Sequence, residues 1–216
     1  MVDLHTHTLL SDGLLLPSEL ARRAEEKGYK IIAFTDHIDF SNVESIVPSL
    51  IKVCAHINKN SKIQTIPGVE ITHVSPEEIP SLANIARKLG AKIIVVHGET
   101  LVEPVAKGTN KKAIEADIDI LAHPGLLEEE EAKIAKKKNI YIEISARKGH
   151  SLSNGHIVRL WYKYGFPLIL NTDTHSPSDL ITDGFAKKII LASGIKNSDI
   201  NKILKNSLKL AGEKLL

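Results

Sequence analysis

The chain carries a single cysteine, Cys54. No internal disulfide can therefore form, and a reducing compartment, the cytoplasm, is the expected location. Cys54 falls in an apolar helical stretch and reads as a small core residue. Gln64 is the only glutamine, and a scarcity of this thermolabile residue suits a thermophile. Aromatic residues make up only 4% of the chain, so no stripe of rings stands ready to stack on single-stranded nucleic acid. The net charge is +2, with basic residues scattered rather than banded, which argues against a nucleic-acid footprint. No run reaches the roughly 18 apolar residues of a membrane span, and no basic-then-apolar start suggests a signal peptide. There is no glycine-rich phosphate loop between a strand and a helix. No linker rich in Pro, Gly or Ser divides the chain, so residues 1–216 are expected to form one domain, an ordinary size for an α/β barrel.

What is present is an alternation of short apolar runs with helical periodicity. Strands are predicted at 2–4, 30–35 (KIIAFT), 63–69, 92–96 (KIIVV), 118–122, 140–144 and 168–170. Helices are predicted at 17–27, 43–58, 76–89, 128–137 and 155–164, with Ser75 and Glu78 as a capping box for the third. A helical tail from about 183, broken at Ser193–Gly194, is expected to close the structure. Seven strands, nearly all followed by a helix, imply a parallel sheet flanked by helices.

The informative residues lie where these strands end. In parallel barrels, functional side chains gather at the strands' C-terminal ends. The seven ends read Asp3-Leu4-His5-Thr6-His7, Thr35-Asp36-His37, Gly68-Val69-Glu70, His97-Gly98-Glu99, Ala122-His123-Pro124, Ile142-Glu143 and Asn171-Thr172-Asp173-Thr174-His175. The first is followed by Ser11-Asp12-Gly13. Each end delivers a His, Asp or Glu. His5 and His7 are two apart, as are Asp173 and His175, so each pair faces one way on extended backbone. Imidazoles and carboxylates at one rim suit zinc, manganese or iron, and without a cysteine the cluster is no thiolate-type structural zinc site. Asp36 reads as an orienting neighbour rather than a ligand, and Asp3 and Asp39 are ambiguous in the same way. His56 and His73 read as ordinary helix and loop residues. The Lys136–Lys138 and Glu128–Glu131 runs need no role beyond a solvated face and a favourable helix dipole.

The motifs HTHTLLSDG, TDH, GVE, the lone His97, AHPG around His123 and NTDTH together resemble, in order and along essentially the whole chain, the polymerase-and-histidinol-phosphatase (PHP) domain family. More narrowly, the chain resembles the stand-alone archaeal-type members labelled histidinol-phosphate-phosphatase-like. It implies a distorted seven-stranded (β/α)7 TIM-like barrel, in agreement with the strand count, and a trinuclear metal centre. One ion would be held by His5, His7, Glu70 and Asp173, a second by Glu70, His97 and His123, and a third by Asp12, His37 and His175. Glu143 has no counterpart in that scheme.

On this reading Glu70, His97 and His175 are the candidates for catalytic roles. Two or three ions (Zn, Mn or Fe) would activate water as hydroxide for attack on a phosphate ester. A small-molecule phosphate monoester, histidinol phosphate among the possibilities, is the expected substrate. A nuclease or nucleotide phosphoesterase is the alternative, and a non-catalytic scaffold a more distant one. Phosphate recognition adds a cation beyond the metals. Arg147, in the loop after the sixth strand, is the leading candidate, followed by His150 and Lys107, with Asn154 and His156 behind.

Overall fold

A computed structural model describes residues 1–215. Its strands are β1 (Val2–Asp3), β2 (Ile31–Phe34), β3 (His37–Ile38), β4 (Gln64–Ile71), β5 (Ile93–His97), β6 (Ile120–Ala122), β7 (Tyr141–Ser145) and β8 (Leu168–Asn171). The helices are α1 (Pro17–Glu26), α2 (Val43–Asn60), α3 (Ile79–Leu89), α4 (Thr109–Glu115), α5 (Glu129–Lys138), α6 (Asn154–Tyr164), α7 (Asp183–Ala192) and α8 (Ile200–Leu215). All pairings are parallel, in the order β1-β2-β4-β5-β6-β7-β8. These seven are the seven strands predicted. β3 is a two-residue continuation of β2's path along β4, with His37 opposite Glu70.

The sheet is nearly closed into a barrel. Its seam, between the first and last strands, is not a regular ladder. It consists of a bridge between Thr6 and Thr174, the His7 amide donating to the Thr174 carbonyl at 2.8 Å, and side-chain bonds below them. The Leu4 amide donates to Asn171 Oδ1 at 3.0 Å, and the Thr172 hydroxyl donates to Asp3 Oδ2 at 2.5 Å. Asp3, ambiguous from sequence, is thus part of the seam. Burial raises its carboxyl to about 6 against the lowering effect of the Thr172 and His5 bonds.

Two apolar layers follow from the strand alternation. Side chains such as Ile32, Phe34, Ile94, Val96, Ile142 and Ile144 pack outward under the helices. Leu4, Ala33, Ile66, Ile93, Val95, Ile120 and Ile169 pack inward, where Leu210 and Ala211 of α8 join them. α8 therefore plugs the barrel at the strand starts, tied there by Asn206 Nδ2 donating to the Leu168 carbonyl at 2.8 Å.

The helices begin and end as their sequences dictate, with two exceptions. α5 is the clearest case, with a Glu128/Glu131 capping box, three glutamates in its first turn, three lysines in its last and Asn139 in the left-handed region beyond it. At α3 the predicted capping box does not form. Residues 76–78 make a 3₁₀ turn, and the Ser75 side chain caps nothing. Pro80 has no N–H to donate to residue 76, so the α-helix starts only at Ile79. α4 was not predicted, because TNKKAIE has too few apolar residues to show a period; it follows Gly108 in the left-handed region.

Cys54 is buried in α2, and burial pushes its thiol up to about 12. The native protein should resist a thiol reagent such as Ellman's and react with one equivalent only after denaturation. Rapid labelling of the native protein would contradict this packing.

Candidate metal centre

The strand-end residues converge at one end of the barrel. His5 Nε2 lies 3.2 Å from Glu70 Oε1 and 3.7 Å from Asp173 Oδ1. His7 Nε2 lies 3.2 Å from Asp173 Oδ1 and 3.6 Å from Glu70 Oε2. His123 Nε2 is 3.5 Å from Glu70 Oε1 and 3.8 Å from Asp173 Oδ2. His97 packs edge-on to His123, ring centroids 4.5 Å apart. At the mouth, Asp12 Oδ1 stands 3.2 Å from His175 Nε2 and 3.4 Å from His37 Nε2. All nine residues of the predicted ligand set are therefore in one cluster, with Glu70 and Asp173 at its centre.

Local backbone aims them. Thr6 donates its hydroxyl to the Ala33 carbonyl, and His5 and His7 on either side of it both face Glu70 and Asp173. Asp36 accepts from the Thr8 amide at 2.8 Å and from the Ser11 hydroxyl at 2.8 Å, and so shapes the loop carrying Asp12. His123 and Asp173 have φ of 26° and 53°. That left-handed backbone is uncommon for non-glycine residues and is often found at functional sites.

The environment is that of a cation site. His5 Nε2, both nitrogens of His7, Glu70 Oε1 and His123 Nδ1 are buried without a hydrogen-bond partner. Leaving so many polar atoms unpaired is costly unless a cation sits among them. Two ligands on a shared tetrahedral ion, each about 2.0–2.2 Å from it, are roughly 3.3–3.5 Å apart, and the separations above cluster around that value. Burial, then repulsion from His37, pushes the His7 imidazole down to about 3, so it is neutral with a lone pair to give. Burial opposes ionisation of Glu70 and Asp173, but the surrounding imidazoles hold both carboxyls below their usual range. His37 is pushed up to about 10 by Asp12 and Glu70 in spite of burial. The donor set of imidazoles and carboxylates fits divalent ions of the zinc, manganese and iron type.

Outer contacts fix the imidazoles. His5 Nδ1 bonds Glu143 Oε2 at 2.8 Å, and Asn171 Nδ2 donates to the same oxygen at 2.9 Å. Glu143, without a counterpart in the sequence scheme, is thus the carboxylate that orients His5 from behind, a common arrangement in metal sites. Glu99, although at a strand end, faces away: its carboxylate accepts from the amides of Gly108 and Asn110 and caps α4.

A cavity of about 330 Å³ opens over the cluster. Arg147 lines it, with Nη1 donating to the Asp173 carbonyl at 2.9 Å and lying 2.7 Å from His175 Nδ1. His150 also lines it, but buried, with its ring stacked on His123 at 4.1 Å. Lys107 is exposed and is not part of the cavity wall, because the loop turns away into α4. Asn154 and His156 bond the backbone of Ser145 and Leu127 instead. Glu103 was missed altogether: it sits on the cavity wall 2.9 Å from His97 Nε2. His73, read as an ordinary loop residue, lies 3.5 Å from Glu103 there.

A PHP domain profile matches residues 3–103. An uncharacterized protein of Methanocaldococcus jannaschii is 46% identical over 204 residues, 94% of each chain. The chain belongs to the PHP family. A Thermoanaerobacter protein named a probable phosphatase is 27% identical, covering 94% of this chain and 92% of its own. Among solved structures, a Listeria monocytogenes protein described as a candidate histidinol phosphatase superposes with a TM-score of 0.60 at 16% identity, covering 86% of this chain and 99% of that one. That likeness speaks to the PHP barrel alone. Among the described residues of this PHP chain, no helix is long and apolar enough to cross a membrane.

Proposed function

We propose that this PHP protein is a cytoplasmic, single-domain enzyme that hydrolyses a small-molecule phosphate monoester, histidinol phosphate being one candidate, at a centre of two or three divalent ions. The observation that carries this reading is the joining of a buried histidine–carboxylate cluster to an arginine-lined cavity. Family membership and the phosphatase name of a full-length relative support the enzyme class, a metal-dependent phosphoesterase. A cavity of about 330 Å³ is at the small end of ligand pockets, which favours a metabolite over a polymer.

His5, His7, Glu70 and Asp173 would hold one ion, Glu70, His97 and His123 a second, and Asp12, His37 and His175 a third. Divalent ions bound there supply Lewis acidity, lowering the pKa of water and neutralising phosphoryl oxygens. Arg147 binds the peripheral phosphoryl oxygens, its guanidinium held in place by the Asp173 carbonyl. Glu143 holds the His5 ring in the tautomer that leaves Nε2 free.

A screen of phosphorylated metabolites, with zinc, manganese and iron added in turn and a short single-stranded oligonucleotide alongside, tests the proposal. Phosphate release from a small monoester, lost on chelation and restored by metal, is the expected result. Cleavage of the oligonucleotide with no monoester turnover would establish the nuclease alternative instead. Inertness toward both would point to a scaffold.

A further inference from the structure

We propose that His150 and Glu103 complete the ligand set of the ion at Glu70, His97 and His123, giving that position three imidazoles and two carboxylates. The inference rests on the metal-centre reading above and deepens it at one position. It also replaces the expectation that His150 contacts substrate.

Geometry carries it. The donor nitrogens of His97, His123 and His150 all lie within 4.8 Å of one another. Glu103 spans two of them, with Oε2 at 2.9 Å from His97 Nε2 and Oε1 at 3.4 Å from His150 Nε2. Two ligands sharing one tetrahedral ion are separated by roughly 3.3–3.5 Å; the His150–Glu103 spacing matches that value, and the shorter His97–Glu103 spacing brings the second carboxylate oxygen up to the same position. All three histidines are buried.

The far side of two of the rings is already engaged. His97 Nδ1 lies 3.1 Å from the Gly98 carbonyl, and His150 Nδ1 lies 2.7 Å from the Thr100 hydroxyl. An imidazole that donates from Nδ1 keeps a lone pair on Nε2. In the His150 tautomer that donates Nδ1–H to the Thr100 hydroxyl, that lone pair faces Glu103 and, at 3.5 Å, Asp173 Oδ2. Lone pair against carboxylate is repulsive unless a cation lies between, and two facing carboxylates repel a phosphate. The surroundings of His150 therefore select a cation over the anionic part of a substrate. Three imidazoles together with carboxylates form a donor set that zinc accepts.

The test measures metal, not turnover. Zinc stoichiometry and dissociation constants would be measured by chelator competition for wild type, His150→Ala, Glu103→Gln and His97→Ala, with visible absorption of the cobalt-substituted proteins as a coordination readout. His150→Ala and Glu103→Gln should each weaken one zinc by more than the ~10-fold lower bound for loss of an outer-shell partner, and should alter the cobalt spectrum. Glu103 is half-exposed, so Glu103→Gln decides the matter if circular dichroism shows His150→Ala unfolded. Wild-type affinity and spectrum in the folded variants overturn the proposal. In that event, loss of one zinc in His97→Ala shows the underlying centre intact. An unchanged His97→Ala would instead sink the metal-centre reading itself.

Discussion

Glu70→Gln should abolish phosphatase activity while leaving the barrel folded. The substitution keeps the side chain's size and removes its charge and one acceptor oxygen. Both oxygens are in use, Oε1 facing His5 and His123 and Oε2 facing His7 and His37. No other carboxylate in the cluster reaches all four. Asp173, the other central carboxylate, faces His5, His7 and His123 but not His37. A loss of at least about 10²–10³-fold, the range for removing one preorganised electrostatic group, is a lower bound because Glu70 belongs to more than one proposed ion site. The checks are steady-state kinetics, bound metal per chain and far-ultraviolet circular dichroism. Wild-type turnover with full metal content would remove Glu70 from the mechanism.

The second large effect is structural. Gly125 has φ of +62°, and a Cβ there would lie 1.9 Å from the Glu99 carbonyl oxygen and 2.9 Å from its carbon. Left-handed backbone alone costs an alanine about 1 kcal/mol; the clash is with backbone, which cannot rotate away. Nor can the Glu99 segment retreat easily, since its amide is held by Asn110 Oδ1, while Asn110 Nδ2 donates to the Pro124 carbonyl. Gly125→Ala should therefore destabilise the protein by roughly 3 kcal/mol or more. It should also displace His123, two residues upstream, and reduce metal uptake. A urea denaturation midpoint and metal content equal to wild type would refute this account of the turn.

Much of this was legible in the sequence because the two relevant signals are local. KIIAFT and KIIVV are apolar along their length, as strands covered on both faces must be, and a polar residue terminating each run is conspicuous. What stayed hidden depends on three-dimensional proximity. Glu103 lies in an aperiodic loop with nothing in its neighbours to distinguish it from a solvated acid. His150 was placed at the right rim as a substrate contact, and it does line the cavity; sequence cannot say that its ring stacks on His123 and faces carboxylates. Glu143 was seen as a strand-end acid, yet its partner, His5, is 138 residues away. Lys107 failed for the converse reason: the loop's path, fixed by the Glu99 cap on α4, carries it outward.

The seam gives the molecule an unusual division of labour. Elsewhere neighbouring strands are joined by regular main-chain pairing, but the first and last are joined by Thr6, Thr174, Asp3, Thr172 and Asn171, residues interleaved with those of the reactive cluster. The barrel's keystone and its working parts thus share the same two short segments, residues 3–7 and 171–175. Thermal breathing would start where the chemistry is done, and whatever cargo the cluster grips would also clamp the two ends of the fold together.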